Sequence, residues 1–87
     1  MENKVVRTML EIAIEVVNSN TKREYDFHEI FNVVESELEQ VWREKFTKNG
    51  ELYEKVRETK MGELHRLLTV DKRFEYAGNG KWEGKNY

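Results

Sequence analysis

The chain has 87 residues with a net charge of −2, contains no cysteine or proline, and is 38 % apolar and 37 % charged. Its length sets one domain over residues 1–87, and the missing thiols remove disulfides and thiolate metal sites. No apolar run is long enough to span a bilayer and no signal-peptide pattern opens the chain, so the expectation is a cytoplasmic protein without a membrane partner.

The first expected element is a helix over Asn3 to Asn18. Val5, Val6, Met9, Leu10, Ala13, Val16 and Val17 recur at three- and four-residue spacing, with Ile12 and Ile14 widening the stripe. Glu2 suits the positive end of that helix. The turn formers Asn18-Ser19-Asn20-Thr21 close it. Lys22 to Asp26 reads as a short extended segment anchored by Tyr25, a possible third, edge strand.

Asp26-Phe27-His28-Glu29 is a capping-box pattern, and a helix is expected from Phe27 to about Phe46. Its apolar stripe is Phe27, Ile30, Phe31, Val34, Leu38, Val41 and Trp42, with Phe46 as a further candidate. Asn49-Gly50 marks a turn. Leu52, Tyr53 and Val56 at helical spacing give either a short helix leading into Thr59 or a single bent helix over 51–68. In the first alternative Thr59 caps a third helix carrying Met61, Leu64, Leu67 and Leu68. Gly62 weakens that helix by about 1 kcal/mol, and a close helix–helix approach is one reason to keep it.

After Val70 the period changes to alternation. Phe74, Tyr76 and Trp82 are large, while Glu75, Lys81 and Glu83 are charged. Asn79-Gly80 between them accepts the two positive φ angles of a tight hairpin turn. Residues 84–87 are expected to fray. The fold class is therefore α+β and mainly helical: a winged helix-turn-helix of three main helices and a C-terminal hairpin. Its structural core is expected to include Phe27, Phe31, Leu64, Leu68, Phe74 and Trp82.

Nothing in the motifs points to catalysis. Neither His28 nor His65 stands in a nucleophile or H-E-x-x-H pattern, there is no phosphate-binding glycine loop, and no metal or cofactor is implied. The charge is unevenly placed. Residues 1–42 hold nine acidic and four basic side chains (net −5), and residues 43–87 hold eight and eleven (net +3). In a winged helix the third helix normally faces the major groove and the wing follows the backbone. The candidate contact residues on those elements are Lys60, His65, Arg66, Lys72, Arg73 and Lys81. Glu63 and Asp71 among them point to weak, non-specific nucleic-acid affinity, with a protein partner supplying the main contact. Phe74, Tyr76 and Trp82 offer two readings, a base-stacking platform or core, and core suits Phe74 and Trp82 better.

Three segments together carry a family resemblance: Asp26-Phe27-x-Glu29-Ile30-Phe31, Leu67-Leu68-x-Val70-Asp71-x-Arg73-Phe74, and Gly80-x-Trp82. Over about residues 5–84 the chain resembles the HARE-HTH winged-helix family, and within it the N-terminal domains of bacterial RNA polymerase delta subunits. That resemblance implies a non-enzymatic accessory subunit bound to the polymerase core; a monomer is expected separately. Such subunits loosen the enzyme's hold on nucleic acid, promote recycling and make initiation more selective. Members carry a long acidic tail after this domain, whereas the present sequence stops at Tyr87. Trp82 is followed by Glu83-Gly84 where an apolar residue is common in the family. The alternative readings are a direct DNA-binding regulator and a protein-interaction module without nucleic-acid contact.

Overall fold

Thr8 decides where the first helix begins. In the computed structural model, which describes residues 6–85, its hydroxyl accepts from the Glu11 N–H at 3.1 Å, and Glu11 accepts from the Thr8 N–H at 2.7 Å. This capping box starts α1 at Met9 (Met9–Asn18), six residues later than the apolar periodicity predicts. Val6 precedes the helix and is largely exposed. Glu2, Asn3 and Val5 lie outside the described residues. Ser19 closes the helix, its N–H and hydroxyl both donating to the Val16 carbonyl.

The extended segment is shorter than the sequence suggests. Only Tyr25–Asp26 pairs, as strand β1, because residues 21–23 are taken up by a turn. Asp26 then caps α2 (Phe27–Phe46), accepting from the His28 N–H at 3.0 Å, while Glu29 accepts from the Asp26 N–H at 3.0 Å. The bounds of α2 are those expected from its sequence pattern.

Helix α3 is a single helix over Tyr53–Val70, which corrects the reading of Thr59 as an N-cap. The N-cap is Leu52, which makes no side-chain capping bond, so the real start carries no polar signature. Thr59 sits in the helix interior, where its hydroxyl donates to the Lys55 carbonyl at 3.1 Å. The alternative of one helix through this region is the observed one, extended to Val70.

The wing consists of β2 (Phe74–Gly78) and β3 (Lys81–Gly84), joined at Asn79 and Gly80, whose φ angles are 54° and 73°. Both lie in the left-handed region that the Asn-Gly pair tolerates. A bulge between Tyr76 and Gly78 adjusts the register. Strand β3 is central, pairing antiparallel with β1 through Tyr25–Trp82 and with β2 through Tyr76–Trp82, so the sheet order is β1-β3-β2. This sheet and the helix order α1-β1-α2-α3-β2-β3 make an α+β, mainly helical winged helix-turn-helix.

One core joins all layers: Ile12, Ala13 and Val17 of α1, Ile30, Phe31, Val34, Leu38 and Trp42 of α2, Val56, Leu64 and Leu68 of α3, and Tyr25, Phe74 and Trp82 of the sheet. Burial of each large apolar side chain contributes about 1.5–3 kcal/mol before the entropic cost of ordering. Phe27 is only half-buried, packed against the core from its edge, and Phe46 at the end of α2 is largely exposed. Gly62 has no heavy atom within 4 Å of where a Cβ would stand, so it serves no close helix contact. Gly84 does: a Cβ there would meet Asn18 Oδ1 at 2.7 Å and the Val17 carbonyl at 3.0 Å. The expected fraying therefore does not begin at residue 84. Gly84 pairs with Phe74, and the Lys85 N–H donates to the Arg73 carbonyl at 2.9 Å. Asn86 and Tyr87 lie outside the described residues.

Candidate functional site

The six candidate contact residues do not form one patch. Lys60 turns toward the end of α2, with Nζ 3.2 Å from Glu63 Oε1 and 4.6 Å from the centroid of Phe46. It lines a cleft of about 400 Å³ with Phe46, Val56 and Glu58, away from the wing. Lys81 opens the central strand β3, opposite Asp26 of β1. The Arg23 hydrogen bond holds the Glu29 carboxyl below the usual range, and the Lys81 charge adds a smaller share.

Arg73 lies in the turn between α3 and β2 and is occupied. Its Nε and Nη2 donate to Asp71 Oδ1 and Oδ2 at 2.9 and 2.8 Å, and its own backbone N–H donates to Oδ1 at 2.9 Å. These bonds lower the Asp71 carboxyl from 3.8 to about 2. A bidentate pair of this kind spends the guanidinium fork that would otherwise meet a phosphate. Lys72 is exposed in the same turn.

His65 and Arg66 are exposed on α3, and they diverge. The His65 ring stands edge-on between Phe27 at 5.8 Å and Trp82 at 6.1 Å, bridging α2 to the wing. Arg66 has no ion-pair partner among the described residues, although Arg7, Arg23, Arg43, Arg57 and Arg73 each hold a carboxylate.

What the fold does assemble is a groove of about 370 Å³ between α3 and the wing. Leu68, Phe74 and Trp82 form its buried floor, and His65, Thr69, Tyr76 and Gly80 its exposed walls. The core reading holds for Phe74 and Trp82, while Tyr76 is 56 % exposed. Thr69 was not among the residues the sequence singled out. It follows His65 by one turn of α3, and that spacing beside a hairpin is the signal that places it in the groove wall.

The acidic half is also internally braced. Arg7 holds Glu37 through Nε and Nη2 and Glu15 through Nη1 and Nη2, so its hydrogen bonds lower both carboxyls. Between α2 and α3, Glu35 accepts from the Tyr53 hydroxyl at 2.7 Å and from Arg57 at 2.9 Å. Burial, and then that hydrogen bond, push the Tyr53 phenol well above its usual range. Among the described residues no cluster of His, Cys, Asp or Glu is placed to hold a metal, and no helix is long and apolar enough to cross a membrane.

The geometry defines the class, a winged helix whose presented helix is nearly charge-balanced. Comparison with known proteins finds no matching family model, no matching curated sequence and no matching solved structure.

Proposed function

We propose that this domain is a non-catalytic, cytoplasmic accessory module of transcription that docks on RNA polymerase and tunes its hold on nucleic acid. The observation that carries this reading is the state of the cations on α3 and the adjoining turn. Lys60 is engaged by Glu63 and Arg73 by Asp71, which leaves a face with little net positive charge. Tight autonomous binding to duplex DNA draws on release of condensed counterions by several cations. With Lys60 and Arg73 held by carboxylates, this face offers few, chiefly Arg66 and the exposed Lys72. Mixed charge around an apolar groove suits a protein surface instead, where rim charges set specificity and on-rate. The polymerase as partner rests on the family resemblance of the three sequence segments.

Two measurements test the reading together. Affinity-tagged full-length chain should co-purify with core polymerase, and a duplex-DNA titration across salt should give weak, sequence-independent binding. Nanomolar, sequence-specific binding to DNA without polymerase association would instead establish a direct DNA-binding regulator.

A further inference from the structure

The groove between α3 and the wing has a composition that selects its occupant. Its floor is carbon from Leu68, Phe74 and Trp82. Its wall polar groups are largely committed inward: the Thr69 hydroxyl donates to the His65 carbonyl at 2.8 Å, and the Tyr76 hydroxyl accepts from the Gly80 N–H at 3.0 Å. What remains open is mostly ring face, methyl and edge, the lining that receives an apolar side chain, with the His65 ring nitrogens and the Tyr76 O–H as its polar groups. Beside it stands an uncommitted cation. Arg66 precedes Thr69 by three positions and Val70 by four, so the three share one face of α3, and Val70 is itself 66 % exposed.

A single-stranded nucleic acid would use the same two features, bases on Tyr76 and phosphates on cations. The neighbouring charges disfavour it. Arg73 is closed on Asp71, Lys60 faces Glu63 and Phe46, and Lys81 stands on β3 opposite Asp26. Glu75 and Glu83 are direct partners across β2 and β3, on the face of the wing opposite Tyr76 and Trp82, and they do not line the groove. A backbone that carries a charge at every nucleotide would find no lysine or arginine among the described residues of the groove lining, with Arg66 beside it and Lys72 in the adjoining turn as the nearby exposed cations.

We propose that the groove between α3 and the wing is a docking site for an acidic–apolar protein segment. An aliphatic or aromatic side chain seats among His65, Thr69, Tyr76 and Trp82, and an adjacent carboxylate pairs with the guanidinium fork of Arg66. The assignment rests on the polymerase reading only for which protein carries the segment.

The test uses the full chain, isotope-labelled, in two arms. The first titrates it with the peptide acetyl-Asp-Phe-Leu-Glu-amide and, separately, with an oligothymidylate, following the amides of Thr69, Tyr76 and Gly80 and the Trp82 indole. The second measures binding of the same proteins to immobilised core polymerase. Arg66→Glu and Thr69→Glu alter the rim on the exposed face of α3, and Gln40→Glu on exposed α2 is the charge control. Circular dichroism and melting verify that each variant is folded. The expected result is a saturable peptide shift at the groove, weakened at least about tenfold by either rim variant, which corresponds to about 1.4 kcal/mol. Gln40→Glu should bind as the parent does. The proposal is overturned if the peptide leaves the groove signals unmoved, if the rim variants bind it like the parent, or if oligothymidylate saturates the groove instead. Peptide binding without polymerase binding would end the polymerase reading and keep the groove. Polymerase binding that ignores both rim variants, with no peptide shift, would do the reverse.

Discussion

Tyr76 and Trp82 face each other directly across β2 and β3 with ring centroids 4.9 Å apart, yet Trp82 is 5 % exposed and Tyr76 56 %. The pair thus divides its labour. One ring closes the core beneath the wing, and the other lies over it as a wall of the groove. Through His65 and Phe27 the ring contacts continue to Phe31 and Trp42, so the wing is packed to the centre of α2 by an unbroken aromatic series.

This division predicts unequal costs on truncation. Trp82→Ala should destabilise by about 3–5 kcal/mol, as for other buried aromatics. Tyr76→Ala should lose about 0.5–1.5 kcal/mol from the aromatic pair, plus a similar amount for the hydroxyl that accepts from Gly80. Urea denaturation of both variants measures the difference. Equal midpoints would mean that Trp82 does not anchor the wing.

Two glycines should respond oppositely to the same substitution. Gly84→Ala places a methyl against Asn18 Oδ1 and the Val17 carbonyl, and one of those is backbone that cannot swing aside. A loss of about 1–3 kcal/mol is expected from overpacking. Gly62→Ala meets open space inside α3 and should gain about 0.5–1 kcal/mol through helix propensity and a less flexible unfolded chain. A gain at residue 84 would show that the α1–β3 junction yields easily.

The elements that were legible in the sequence are those whose ends carry their own chemistry. Asp26 with Glu29 marked the start of α2, and Asn79-Gly80 marked the hairpin. The start of α1 carried the same kind of mark in Thr8 and Glu11, but a longer apolar stripe masked it. The start of α3 carried none, since Leu52 offers no capping oxygen, and Thr59 imitated a cap from inside the helix. Site residues were legible as types rather than as a site. Whether a cation is free depends on which carboxylate the fold sets beside it, and spacing along the chain does not specify that. Lys60 and Arg73 read as contacts until Glu63 and Asp71 are seen to hold them. Arg66 reads the same way and stays uncommitted.

Acid should unfold the domain partly through Asp71. Its carboxyl is lowered from 3.8 to about 2 by the side-chain hydrogen bonds of Arg73 and then by the Arg73 backbone N–H. A carboxylate depressed in the native state stabilises it above the unfolded pKa, and that contribution is lost as pH falls through the folded value. Glu15, Glu29 and Glu37 are lowered in the same sense, each first by an arginine hydrogen bond. Stability should therefore decline as pH drops below about 4.5 and continue to fall toward about 2. Asp71→Asn should flatten the lowest part of that slope in urea midpoints measured across pH. An unaltered acid limb would mean that the pair is open in solution.

The same pair gives the last prediction, about nucleic acid. Asp71 keeps the Arg73 fork closed, so the intact domain presents few cations to a phosphate backbone. Asp71→Asn leaves an amide that cannot neutralise the guanidinium, and Arg73 then becomes available at the base of the wing. Each phosphate neutralised on duplex DNA steepens the dependence of log affinity on log salt by about 0.9. The parent should bind weakly with a shallow slope, and the variant more tightly with a slope steeper by about one such contact. Arg73→Ala in the same background should restore the parent slope, which separates the freed arginine from the mere loss of a negative charge. If the variant slope matches the parent, Arg73 does not reach the backbone and the wing takes no part in the contact. If the parent itself already shows a slope of many contacts and nanomolar affinity, the cations are not closed off in solution. The accessory reading would then give way to a direct DNA-binding regulator.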